Sequence, residues 1–122
     1  MNREIRAKIM RELAATRTRA LQSAADRKAK LYGEHPELRS LDAETAALSR
    51  DYMRRKLEGV GTAEEYAERL AQIDARREEI IAASGIDLSA HFECEICQDT
   101  GRLQGEYCRC FLSRVIEENL AN

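Results

Sequence analysis

Four cysteines, Cys94, Cys97, Cys108 and Cys110, fall within seventeen residues of a 122-residue chain that has no other cysteine. The first two are spaced C-x-x-C and the second two C-x-C, with ten residues between the pairs. Two thiolate pairs separated by a short loop are what a tetrahedral metal site needs, and four sulfur donors favour zinc. In "CEICQDTG" the turn after the first pair can aim backbone amides at sulfur, and Gly101 relieves strain where the chain reverses. The following "RLQGEY" reads as a small β-hairpin with Gln104–Gly105 at its tip, returning Cys108 beside Cys94 and Cys97.

The C-x-C pair constrains the backbone further. Side chains at i and i+2 of a regular helix point about 200° apart, so both could not reach one ion. Cys108 is therefore expected at the end of a strand, and Cys110 in the first turn of a helix through "FLSRVIEENL". There the exposed amides and the helix dipole favour a thiolate. Phe111, Val115 and Ile116, with Phe92 and Ile96, are expected to pack this module against the rest of the chain.

Other uses of four cysteines fit less well. A disulfide-stapled module suits a secreted protein, whereas "MNREIRAKIMREL" is charged throughout and reads neither as a secretory signal nor as a membrane span. The expected location is the cytoplasm, where thiols stay reduced. A thioredoxin-type C-x-x-C needs a strand-to-helix context that is missing. An iron–sulfur cluster also takes four cysteines, but a knuckle and hairpin suit a single ion better. His91 could replace a ligand; beside four cysteines it is expected to be a bystander or an outer hydrogen-bond donor. A four-cysteine zinc site has no open position for water, so its role would be folding. Such binding amounts to roughly 10–16 kcal/mol near neutral pH, in a segment of about 30 residues too poor in apolar side chains to fold alone.

The elements that must carry this module are helical. Two Phe, four Tyr and no Trp leave a thin core of Leu, Ile and Ala, a composition typical of long helices and coiled coils. Apolar residues recur at helical spacing at Ile5, Ile9, Leu13, Leu21, Ala24 and Leu31, giving a first helix over 2–31. "YGEHPE" (32–37) interrupts it, with Gly33 expected at positive φ and Pro36 in the first turn of the next helix. A second seam runs through Leu38, Leu41, Thr45, Leu48 and Tyr52. "EGVGT" (58–62) ends that helix, and Thr62 with Glu65 forms a capping-box pattern that opens a third. Its seam is Tyr66, Leu70, Ile73, Arg77 and Ile80, and it ends near Ser84–Gly85. Arg77 either snorkels out of this seam or marks the end of the contact. The expected fold is mainly α: an elongated antiparallel helical hairpin or three-helix bundle over 1–85, then a C-terminal zinc module over 86–122 made of a short hairpin and a helix.

Charge is unevenly distributed. Residues 1–31 carry a net +6, residues 32–85 a net −4 and residues 86–122 a net −4. A basic first helix can pair with its acidic neighbours or offer a face to an acidic partner or to phosphates. Arg102, Arg109 and Arg114 are candidate nucleic-acid contacts near the cysteines, although seven acidic residues share that segment. Catalysis is not expected. The chain has no phosphate-binding G-x-x-x-x-G-K-[ST], no G-x-S-x-G and no H-E-x-x-H, and His35 and His91 are isolated.

The stretch C-E-I-C-Q-D-T-G…G-E-Y-C-R-C-F resembles the cysteine motif ahead of the ATPase module in DnaC/DnaI-like replicative helicase loaders. The matching positions are Cys94, Cys97, Asp99, Thr100, Gly101, Gly105, Cys108, Cys110 and Phe111, and the charged helices with "HPEL" are similar in kind. The resemblance implies a non-catalytic domain that docks on the replicative helicase, with single-stranded DNA as a further partner and neither a membrane nor a small-molecule substrate. Asn122 falls about where that family's AAA+ ATPase module begins, so any ATPase role is expected to lie downstream of these residues. DksA/TraR-like regulators of RNA polymerase also join a coiled coil to a four-cysteine knuckle. They space both pairs C-x-x-C with a longer gap, and Glu34, Glu37 and Glu58 near the turns are what keep that alternative open.

Overall fold

The computed structural model describes residues 2–121. In chain order it contains α1 (Arg3–Glu34), α2 (Glu37–Leu57), α3 (Ala63–Ser84), β1 (Arg102–Leu103), β2 (Glu106–Tyr107) and α4 (Arg109–Ala121). The protein is mainly helical, with one two-stranded sheet beside four clustered cysteines. No helix among the described residues is long and apolar enough to cross a membrane.

The chain groups into two compact units, Met1–Asp26 with Leu88–Asn122, and Arg27–Asp87. The first 26 residues thus go with the cysteine module, a long-range grouping that helical periodicity cannot reveal.

In the unit Arg27–Asp87, α2 and α3 form an antiparallel pair. Glu37 meets Arg76, Glu44 meets Arg69, and the rings of Tyr52 and Tyr66 stack with centroids 4.5 Å apart, so the numbering falls along α3 as it rises along α2. Every residue of the two expected seams is buried or half-buried, with Leu38, Leu41, Ile73 and Ile80 innermost and Leu31 of α1 fully enclosed. Thr45 fits this apolar line because its hydroxyl donates to the Leu41 carbonyl at 3.0 Å. Arg77 stays in the seam: its guanidinium donates to the Asp42 carboxylate and to the Tyr32 hydroxyl, so the charge is paired where the seam meets water. The Thr62 hydroxyl accepts from the Glu65 amide at 3.1 Å to open α3, and Gly85 closes it at φ 71°.

One boundary differs from expectation. Gly33 lies inside α1 and is not among the residues at positive φ; the helix runs on to Glu34. The break comes at His35–Pro36, where Pro36 at φ −58° starts α2 in right-handed geometry and the Leu38 amide donates to His35 O. A proline pre-set for a helix start makes a left-handed glycine unnecessary.

In the other unit, Asn2 opens α1 by accepting from the Glu4 and Ile5 amides. Ile9 and Leu13 of α1 then pack with Phe111 and Val115 of α4, and Ile5, Met10 and Tyr107 cover the edge. Three expected core residues are outside: Leu21 is 44%, Ile116 59% and Ile96 65% exposed. In α4, Phe111 and Val115 lie four residues apart and already define the buried stripe, which leaves the next position, Ile116, turned away from it.

Candidate metal centre

The hairpin is the first positioning device. Arg102 pairs with Tyr107 and Leu103 with Glu106, and the two tip residues, Gln104 and Gly105, take φ 52° and 84°. Positive φ at both central positions is the type I′ turn that matches strand twist. The hairpin is closed below by the Cys108 amide donating to Gly101 O at 2.8 Å. Cys108 follows β2 directly, and Cys110 is the second residue of α4, so the change from strand to helix between them lets both sulfurs face one point.

The second device is the turn after Cys97. Gln98 and Asp99 both lie in left-handed geometry, at φ 55° and 60°, and Gly101 at 78°. The Asp99 side chain is 1% exposed, and its two carboxylate oxygens accept from the Cys94 amide at 2.9 Å and the Glu93 amide at 3.0 Å. It thereby ties the irregular segment entering Cys94 to the turn leaving Cys97. The Thr100 hydroxyl lies within hydrogen-bonding distance of the Cys97 and Arg102 carbonyls, and the Gly101 amide donates to Cys97 Sγ at 3.4 Å. Gly101 answers a second demand as well. A Cβ there would sit 3.0 Å from Leu13 Cδ1 and 3.1 Å from Met10 Sδ, so this turn seats directly on α1.

These constraints place the four Sγ atoms within 4.8 Å of one another. Cys94 and Cys108 are 3.8 Å apart, and Cys97 and Cys110 are 3.5 Å apart. All four thiols are free, at separations well beyond the roughly 2.05 Å of an S–S bond. Four soft donors converging from two loops can hold one metal ion. Cys97 and Cys108 are buried, while Cys94 and Cys110 are partly open.

The electrostatics suit a cation. Burial pushes the Cys97 thiol up, but the Gly101 amide and the neighbouring thiols, all able to donate to a thiolate, outweigh it and bring Cys97 down to about 7. Cys110 moves strongly upward, first through burial and then through Cys97 and the other two sulfurs. Crowded thiols cannot all ionise without a positive charge among them, and a bound dication supplies it.

His91 is not part of the cluster. Of the three candidate nucleic-acid arginines, Arg114 donates to Glu93 at 2.9 Å, Arg102 lies over the Tyr107 ring at 4.6 Å, and Arg109 is exposed at the start of α4. Phe92 lies beneath the Arg17 guanidinium, 5.5 Å from its ring centre. Residue typing alone missed the work of the Asp99 carboxylate and the approach of Met10 and Leu13. Its one visible signal was a short acid and a hydroxyl ahead of a glycine, a composition that favours local side-chain-to-backbone bonds. Compared with family models, with curated proteins and with solved structures, the chain finds no match in any of the three.

Proposed function

We propose that this chain is a zinc-ordered, non-catalytic protein-interaction domain of a DNA-replication helicase loader, docking on the replicative helicase in the cytoplasm. The observation that carries the metal is the convergence of Cys94, Cys97, Cys108 and Cys110. With Zn–S bonds of about 2.3 Å, a tetrahedral site sets its sulfurs about 3.8 Å apart. The Cys94–Cys108 and Cys97–Cys110 separations are 3.8 and 3.5 Å. A multinuclear iron–sulfur cluster binds its cysteines to separate irons and spreads their sulfurs farther apart than a set all within 4.8 Å of one another. When bound, the ion supplies cross-linking and charge neutralisation; with four thiolates it keeps no position for water or substrate.

The loader reading is supported by the work each position of the resemblance does. Asp99 and Thr100 hold the turn, Gly101 and Gly105 occupy left-handed backbone, and Phe111 is fully enclosed. The motif residues thus act together as one folding unit. In this role the metal keeps the cysteine module rigid, and the helices, with their exposed charged faces, meet the partner.

Two measurements test the reading separately. Elemental analysis of protein purified without added metal should return about one zinc per chain. A pull-down offering replicative helicase and RNA polymerase should retain the helicase. Zinc without helicase binding overturns the partner alone, and capture of polymerase only transfers the chain to the DksA/TraR-like reading.

A further inference from the structure

Beside the metal centre, in the same compact unit, the structure gathers positive charge without an acid to match it. Arg102 and Tyr107 are direct cross-strand partners, so their side chains share one face of the hairpin, and the Arg102 guanidinium lies 4.6 Å over the Tyr107 ring. The other face of that ring stacks on Phe111, with centroids 4.5 Å apart. Tyr107 is therefore held in place, and its hydroxyl is fixed at the module's edge. From α1, Arg6 Nη1 donates to this hydroxyl at 3.4 Å, and Arg102 Nη2 donates to it at 3.5 Å.

Two guanidinium nitrogens within reach of one oxygen lie at most about 7 Å from each other. Neither arginine has a carboxylate within ion-pair distance among the described residues, although Lys8, two positions along α1, is paired with Glu118 at 2.5 Å. Glu106, next to Tyr107 on β2, belongs to the opposite face by strand alternation. The Tyr107 hydroxyl accepts twice, and its own proton has no protein acceptor among the described residues. Three donors, two of them charged, thus gather at a half-open corner where no carboxylate of the described residues pairs with either arginine.

From this convergence we infer that Arg6, Arg102 and Tyr107 form a binding site for one phosphate-type oxyanion. Such an anion can accept from each guanidinium through a separate oxygen and from the phenol through a third contact, and charge-assisted bonds of this kind are the strong ones. The like charges of Arg6 and Arg102 repel until the anion arrives, so occupancy relieves the corner as well as filling it. The Tyr107 ring is covered on both faces and cannot stack with a base, so the site reads phosphate and not sequence. The group could be a free phosphate or one phosphodiester of a nucleic-acid strand.

The test is a titration of the full chain, followed through the arginine Nε–H signals by NMR, with inorganic phosphate in one arm and an oligothymidylate in the other. Arg6 and Arg102 signals should shift saturably in at least one arm, and the affinity should fall as salt is raised. Arg6→Gln and Arg102→Gln should each weaken binding about tenfold, and Tyr107→Phe about threefold, as expected for losing charged and neutral donors. Arg39→Gln, exposed in the other unit, should leave binding unchanged. Metal content and amide spectra of each variant establish that the module is still folded. Tighter binding of the oligonucleotide than of phosphate identifies the strand as the source, and equal binding identifies the free ion. No saturable shift at Arg6 and Arg102 in either arm, or a folded R6Q/R102Q protein that binds as well as the parent, overturns the site.

Discussion

Ile9, Leu13, Phe111 and Val115 in one compact unit, and Leu31, Leu38, Leu41, Ile73 and Ile80 in the other, are similar sets of buried apolar side chains, yet they sit on very different backbones. The α2–α3 unit is made of regular helix, with glycine at each left-handed position. The cysteine module instead contains all three non-glycine residues that the described chain holds at positive φ, namely Gln98, Asp99 and Gln104. Each such residue costs on the order of 1 kcal/mol and persists only where its surroundings over-determine it. A helix pair is thus held by a seam of small contributions, whereas the module needs a few strong, convergent ties.

The largest expected effect follows from cutting the strongest tie. On the proposed zinc reading, chelation should remove a contribution of roughly 10–16 kcal/mol, and Cys97→Ser, which takes one of the four sulfurs away, should weaken metal binding sharply. Amide hydrogen exchange from Cys97 to Cys110 should then become fast, while amides near Leu41 and Ile73 stay protected. Loss of protection in both places would mean that the two units do not differ in what holds them.

How far the sequence was legible follows the same divide. Features decided by neighbouring residues could be read directly: the Thr62 cap, Gly85 as the stop of α3, the Gln104–Gly105 turn, and the split of Cys108 and Cys110 between strand end and helix start. Each depends on a side chain within about four positions or on the freedom of glycine. Choices between distant partners could not be read. Ile9 and Leu13 show helical periodicity, but periodicity does not say that Phe111 covers them, and it gave Ile116 and Leu21 the same weight although both are exposed. Gly33 failed for a related reason, because a glycine permits a left-handed turn without requiring one.

Asp99 sharpens the comparison at intermediate size. Its two oxygens each accept one backbone amide, and it is almost wholly buried. Asp99→Asn keeps the shape but turns one acceptor into a donor facing an N–H, leaving two buried donors opposed. The expected cost is about 2–3 kcal/mol, concentrated in the module. Competition with a chromophoric chelator should show metal affinity weakened at least tenfold, with thermal unfolding of the α2–α3 seam unchanged. Unaltered affinity would assign the left-handed turn to the cysteines alone.

The smallest effect belongs to the helical unit. Thr62 accepts a single bond from the Glu65 amide and is exposed, so Thr62→Ala removes one cap and nothing else. Loss of such a cap costs about 1 kcal/mol, and here the first turn of α3 also carries Glu64 and Glu65, whose charges favour a helix start without it. Exchange should therefore quicken only in the first turn of α3, by about fivefold, with the amides around Ile73 and Ile80 unaffected. In a seam of many small contributions one missing cap is absorbed locally. Were Thr62→Ala instead to loosen the whole of α3, the helix pair would depend on single ties as the cysteine module does, and the contrast between the two units would fail from the other side.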